Sequence, residues 1–425
     1  MNQFKKIIAE WMEKEIPILT KREIPVKLNS DILAIIGPRR VGKTYLMFQL
    51  INELLKENKK EEILFVDFED NRLVGVKDSE WDNLFLAHTE MGYSPIKYLF
   101  FDEIQQMNNW SKFVRRLHNQ NKYKIILSGS SSKLLSKEIA SELRGRYKSI
   151  FVTPFSFSEF LHLRGFVINQ TTEFTSKKGE LLKLFLEYLL YGGYPEIIKE
   201  PASSEKKQKA AGYYETVFYR DLVERHKITN YEILELLMNY LLNNPTHIFS
   251  ITGFEKILRS RQLEVSKKTI SLFFKYLDEA FFVYPIEEFS YSAKKRLMRP
   301  KKAYLVDNGL ITFLSMQFSP DNGILLENLV LGQLKRKEKA VFFFNEKMEC
   351  DFVIKEGAKI TQAIQVCWEL NENSREREIK GLLEALDYFN LSEGLILTYD
   401  QEEKLVKDGK KIMVMPVWKW LVNAV

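Results

Sequence analysis

Cysteine is almost missing from this chain: its 425 residues contain two, Cys350 and Cys367. A fold stapled by disulfides is excluded, and a reducing cytoplasm is the expected compartment. Long apolar runs are missing as well. None reaches the roughly 20 residues that a membrane-spanning helix requires, so no membrane partner is expected. The first twenty residues carry Lys5, Lys6, Glu10, Glu13, Lys14 and Glu15, a pattern unlike a secretory signal. Nor is there a strong excess of one charge, since 63 Lys and Arg against 57 Asp and Glu leave +6. A balance that mild permits contact with nucleic acid without requiring it. What is abundant is core-forming material, 45% hydrophobic residues with 30 Phe and 19 Tyr among the large side chains. That composition describes a well-packed globular protein, and the length calls for two to three domains.

The most informative stretch runs from Asp31 to Tyr45. Ile32 to Ile36 is an apolar run with the look of a buried parallel strand. Gly37, Pro38, Arg39, Arg40, Val41, Gly42, Lys43 and Thr44 follow, and Tyr45 opens a helix-forming segment with Leu46, Leu50 and Leu54 on one face. This is the phosphate-binding loop in its required context of strand, glycine-rich turn and helix. A turn that wraps a triphosphate excludes Cβ atoms at Gly37 and Gly42. Its N–H groups and the helix N-terminus face the anion. Lys43 reaches the β- and γ-phosphates, and the Thr44 hydroxyl is placed to ligate Mg²⁺.

A second strand, Glu62 to Phe68, ends in the polar loop Glu69, Asp70, Asn71 and Arg72. This is the edge of an open α/β sheet where ligands bind, so these residues either face the nucleotide or form a solvated loop. The next apolar run, Lys97 to Phe101, ends in Asp102 and Glu103, the Walker B pattern, 59 positions after Lys43. Asp102 is expected beside the Mg²⁺ that Thr44 holds, with Glu103 polarising the attacking water. The strand Tyr123 to Leu127 runs into Ser128, which either senses the γ-phosphate, with Ser130 as the alternative, or caps the following helix. Beyond a helix over Ser136 to Leu143, Arg144 and Arg146 are either an arginine finger, often supplied by a neighbouring subunit of an oligomer, or a solvated basic turn.

Further motifs occur in order: Leu127 to Ser131, Leu143 to Tyr147, Pro154 to Phe160 (Pro-Phe-Ser-Phe-Ser-Glu-Phe) and Tyr191 to Glu196 (Tyr-Gly-Gly-Tyr-Pro-Glu). With the phosphate-binding loop and the acidic pair they resemble the archaeal-type ATPases of the AAA+ and STAND-related P-loop group, over nearly the whole chain. The resemblance implies ATP binding, Mg²⁺ dependence and hydrolysis. The choice of ATP over GTP rests on it alone.

Downstream, residues 156 to 229 are helical in pattern and resemble the lid that follows AAA+ cores. Arg220 or Arg225 either touches nucleotide or, as helical spacing favours, pairs with Asp221 or Glu224. From 230 to 290 the order is a helix over Tyr231 to Leu242, a short helix over Thr252 to Leu258, and a third helix to Leu277 that Ser266 caps. A wing follows, read from Ala280 to Tyr284 and Ile286 to Phe289. This looks like a winged helix, used either for double-stranded DNA through Lys267, Lys268 and Lys275 or for packing against a protein partner. Tyr291 to Lys302 adds six basic residues. The section from 291 to 425 is mixed α/β and resembles restriction-endonuclease-like domains, with Glu327 and Asp351 on the metal-binding template. Gln365 and Cys367 stand where that template has Glu and Lys, so nuclease activity is not expected. The expected fold class is therefore α/β: an AAA+-like P-loop NTPase sheet (1–155), a helical lid (156–229), a winged helix (230–290) and an inactive nuclease-like domain (291–425).

Overall fold

Five short strands, the first four in the chain buried along nearly their whole length and the fifth partly exposed, form the first sheet of the computed structural model, which describes residues 2–28, 32–130, 147–316 and 321–423. They are β1 (Ile32–Ile36), β2 (Ile63–Asp67), β3 (Tyr98–Asp102), β4 (Lys124–Gly129) and β5 (Tyr147–Phe151), in the order β2-β3-β4-β1-β5. Every pairing is parallel. All five side chains of β1 are buried. This is why it reads as a continuous apolar run rather than an alternating one. Burying such an Ile or Leu is worth about 1.5–3 kcal/mol. The topology places β4 between β1 and β3, so the end of β4 lies between the loop after β1 and the carboxylates after β3.

The N-terminal helix Asn2–Glu13 buries Phe4, Ile7, Ile8 and Trp11, and the Trp11 indole donates to the Ile63 carbonyl at 2.6 Å. It is a packing element of its own unit. The chain divides into two compact units, Met1–Val152 and Thr153–Val425.

The second unit begins with helices Phe157–Leu163, Lys177–Tyr191, Pro195–Lys199 and Ser203–Thr216, the last running on as a π-helical segment, Val217–Glu224. The polar stretch from Ser203 to Lys209 belongs to this helix and is exposed apart from Lys206 and Lys209. Lys206 is buried, and its ammonium donates to the Ile197 carbonyl at 3.4 Å and to that of Glu200, late carbonyls of the preceding helix. Arg225 pairs with Asp221 at 3.2 Å, as the helical spacing predicts. The Tyr191 to Glu196 motif is held by backbone crowding. A Cβ at Gly193 would stand 2.4 Å from the Phe155 carbonyl oxygen. The Gly193 N–H donates to Asp307 at 2.7 Å. Burial pushes the Asp307 carboxyl up to about 7, against the pull of the two backbone N–H groups it accepts.

Next come helix Tyr231–Asn243, strand β6 (Ile248–Phe249), helices Ile251–Ser260 and Lys267–Glu279, and strands β7 (Val283–Glu287) and β8 (Lys301–Leu305). The strands form a sheet in the order β6-β8-β7. The return strand is therefore Lys301–Leu305, where the sequence suggested Ile286 to Phe289. Pro285 lies within β7, opposite Ala303. It is tolerated there because β7 is an edge strand of this sheet, where a missing N–H costs little.

The last sheet is mixed and six-stranded, in the order β13-β14-β12-β11-β10-β9. Its strands are β9 (Ala340–Asn345), β10 (Glu349–Glu356), β11 (Lys359–Val366), β12 (Glu393–Thr398), β13 (Glu403–Lys407) and β14 (Lys410–Pro416). Helices Asn322–Arg336 and Arg375–Tyr388 accompany it. No helix among the described residues is long and apolar enough to cross a membrane.

Candidate functional site

The loop after β1 is shaped for close approach. A Cβ on Gly37 would lie 2.0 Å from the Val152 carbonyl oxygen, so no larger residue fits. Gly42 sits at φ 94°, a conformation that L side chains rarely adopt. Immediately after it begins the twelve-residue helix Lys43–Leu54, whose first N–H groups have no intrahelical acceptor. Pro38 and Val41 are buried, Arg40 and Tyr45 are exposed, and Arg39 pairs with Glu69 at 2.9 Å. The loop after β2 thus turns a carboxylate toward the phosphate-binding loop.

Four side chains converge at the strand ends. Thr44 Oγ1 donates to Asp102 Oδ2 at 2.6 Å. The buried Lys43 ammonium donates to the Pro38 carbonyl at 3.0 Å and stands 3.2 Å from Glu103 Oε1. Ser128 is the last side chain but one of β4. Its hydroxyl donates to Asp102 Oδ1 and accepts the Glu103 N–H at 2.9 Å. The helix start before Lys133 that the capping alternative concerns lies outside the described residues. Ser130 lies one turn further and contacts Gln105 at 3.3 Å. Arg144 and Arg146 lie outside the described residues.

The two carboxylates are driven apart electrostatically. Burial, reinforced by the neighbouring Glu103, pushes the Asp102 carboxyl up to about 6. Burial would push Glu103 the same way. The Lys43 ammonium, the Arg39 guanidinium and donors from Gln105 and Ser130 outweigh it and hold Glu103 at about 2. The set supplies what a nucleoside triphosphate with a hard divalent cation requires: a Cβ-free cradle, a helix N-terminus, a buried cation, and a hydroxyl beside a carboxylate.

Two contributors carry no sequence signal. Arg22, in the connector before β1, is buried, and its guanidinium donates to the Val41 carbonyl at 2.7 Å. Its backbone exchanges hydrogen bonds with the Gln49 side chain. Gln105 contacts Glu103 from the turn after β3.

A second polar cluster lies in the other unit, beside a cleft of about 490 Å³ lined by Glu327, Glu349, Asp351, Gln365 and Glu378 among others. The buried Lys302 ammonium sits amid three carboxylates, 3.0 Å from Glu327, 2.6 Å from Glu349 and 3.5 Å from Asp351. Burial disfavours this charge, but Glu327, Asp351 and Glu349 hold the Lys302 pKa well above its ordinary value. Gln365 accepts the Asp351 N–H at 3.2 Å and donates to Glu378 at 2.6 Å. Cys367 faces the apolar core with Leu382 and Phe289, its thiol pushed up to about 12 by burial. Lys302, one of the six basic residues counted between Tyr291 and Lys302, is an internal cation.

On the three-stranded module, Lys267, Lys268 and Lys275 are exposed. Lys267 stands 3.6 Å from Glu255, and Lys275 the same distance from Glu279. Of the basic residues from Lys294 to Lys302, Arg296, Arg299, Lys301 and Lys302 form ion pairs within the chain, and Lys294 and Lys295 are exposed.

Comparison with known proteins adds the following. Residues 29–161 match the family described as an AAA domain, and residues 182–321 match a domain of unknown function. An uncharacterized protein of Methanocaldococcus jannaschii is 37% identical over 434 residues, spanning 98% of this chain and 94% of that one. An uncharacterized protein of Haemophilus influenzae is 29% identical over 396 residues, spanning 92% and 94%. Among solved structures, a Walker-type ATPase of Pyrococcus abyssi aligns over 73% of this chain and 94% of its own, with 14% identity and a TM-score of 0.42.

Proposed function

We propose a function from one premise: the chain belongs to the same family as its Methanocaldococcus jannaschii relative, a family of P-loop proteins with an AAA domain. The protein binds ATP with Mg²⁺ in the loop from Gly37 to Tyr45, hydrolyses it, and couples turnover to a conformational change on DNA or a protein partner. The observation that carries this reading is the convergence of Lys43, Thr44, Asp102 and Glu103 at the strand ends, with Thr44 on Asp102 and Lys43 on Glu103.

The geometry supports the following roles. The Lys43 ammonium turns from Glu103 and Pro38 to the β- and γ-phosphates when a triphosphate enters. Glu103 then loses its strongest partner, regains basicity, and accepts a proton from the attacking water. Thr44 and Asp102 would hold Mg²⁺, which when bound would neutralise charge developing on the phosphates. Ser128 keeps Asp102 and the Glu103 backbone in register. Arg144 and Arg146 remain candidates for a finger in trans.

A second element supports DNA as the partner. The order helix, strand, helix, helix, strand, short helix (Ala293–Met298), strand in residues 231–305 resembles that of a winged helix, with Lys267, Lys268 and Lys275 exposed on its third helix and Lys294 and Lys295 exposed between the last two strands. Duplex DNA affinity measured against salt concentration is expected to fall steeply. Changing Lys267, Lys268, Lys294 and Lys295 to Glu should weaken binding at least tenfold at low salt, since every phosphate that the protein no longer neutralises keeps its counterions, whose release drives association. Binding unchanged by all four substitutions would assign the module to a protein partner. In the C-terminal unit, the nuclease-like reading stays with an inactive site, because Lys302 neutralises the carboxylates and Gln365 replaces an anion.

A further inference from the structure

Gln105 has no place in the sequence motifs, yet it sits closest to the side chain that matters most. The reason is a backbone turn. Glu103 adopts φ 49° and ψ 46°, a left-handed conformation that a residue with a Cβ takes up only when its surroundings impose it. The short 3₁₀ turn Ile104–Gln106 follows, and the Gln106 N–H donates to the Glu103 carbonyl at 3.0 Å. This fold-back brings residue 105 beside residue 103. The Gln105 amide nitrogen donates to Glu103 Oε2 and to Ser130 Oγ at 3.3 Å. Only the nitrogen end of an amide donates to a carboxylate, so the network fixes which way the amide points. Its other end, Oε1, is a buried acceptor with no hydrogen-bond partner among the described residues. Buried polar atoms are nearly always paired, and an orphaned one beside a catalytic carboxylate calls for a donor that arrives later.

We infer that Gln105 is the second arm of the water-binding site: its amide N–H aligns Glu103, and its carbonyl oxygen accepts one O–H of the water that Glu103 deprotonates. This rests on the ATPase reading above. The water oxygen forms a bond to the γ-phosphorus. The bond from that phosphorus to the β,γ-bridging oxygen breaks, and its electron pair leaves on ADP. One water proton passes to Glu103 while the other stays in the hydrogen bond to Gln105 Oε1. A water held by two acceptors has one lone pair fixed along the line of attack, which a lone carboxylate does not ensure.

The test compares the parent chain with Gln105→Met, which keeps the side-chain shape, and Gln105→Ala. ATP affinity is read by a fluorescent ATP analogue, turnover by phosphate release, and transition-state binding by trapping ADP with aluminium fluoride. Both variants should bind ATP within twofold of the parent, turn over about 10²-fold more slowly, and lose the aluminium fluoride complex by a similar factor. Parental turnover in both variants overturns the inference and leaves the ATPase reading intact. So does a parallel loss of ATP affinity and trapping, which would mean a purely structural role. A parent that binds ATP without turnover would overturn the ATPase reading, and this inference with it.

Discussion

Replacing Lys43 by alanine is expected to abolish ATP turnover and weaken nucleotide binding by about ten- to a hundredfold. Lys43 is 4% exposed, and among the described residues its ammonium pairs with one backbone carbonyl and one carboxylate, both within its own unit. A desolvated cation at the mouth of a phosphate cradle forms charge-assisted hydrogen bonds worth about 1.5–3 kcal/mol, which is the affinity loss stated. The effect on rate is larger, since charge on the transferring phosphoryl group grows toward the transition state and the same ammonium opposes it. The variant also leaves Glu103 without the ammonium that offsets its burial. Titration with a fluorescent ATP analogue and a phosphate-release assay measure the two losses separately. A variant that hydrolyses ATP at the parental rate would remove Lys43 from the site.

The second large effect is on stability and falls in the other unit. Lys302→Ala should destabilise the C-terminal sheet by about 3–5 kcal/mol, the usual consequence of removing one partner from a buried ion pair. Glu349 is 37% exposed and contributes little, because water screens it. The cost comes from Glu327 and Asp351, whose side chains are 13% and 9% exposed and would be left facing each other. Burial first and Glu327 second push the Asp351 carboxyl well above the carboxylate range, and the Lys302 ammonium opposes both. Amide hydrogen exchange in β10 and β11 reads the effect locally. Protection lowered by less than about tenfold would mean that the cluster stabilises little. No Mg²⁺-dependent DNA cleavage is expected from the parent chain.

The first unit was largely legible in the sequence because its chemistry is local. Gly37 to Thr44 is one contiguous turn, and Asp102 and Glu103 end an apolar run, so strand, loop and acid pair announce themselves. Ser128 was found as a residue, but its role needed β4 to lie between β1 and β3, which no local pattern encodes. Gln105 was invisible because a left-handed Glu103 folds the chain back on itself, and nothing in the run Phe100 to Ile104 signals that turn. In the second unit the helices were visible in their periodicity. The pairing of Lys301–Leu305 with β7 was not, because β7 and β8 are separated by a basic helix and look like parts of different modules. The burial of Lys302 was hidden for the same reason. In a run of basic residues one buried cation looks like its solvated neighbours, and only its three carboxylates, from Glu327, Glu349 and Asp351, tell it apart.

The central claim is that Glu103 activates water at a nucleotide held by Lys43 and Thr44. The most direct test is Mg²⁺-dependent ATP hydrolysis by the parent chain and by Glu103→Gln, with ATP affinity measured on the same samples. The expected result is a parent that turns over ATP and a variant that binds it equally well but hydrolyses it about 10²- to 10⁴-fold more slowly. Equal rates in the two proteins would contradict the assignment and move the catalytic base elsewhere.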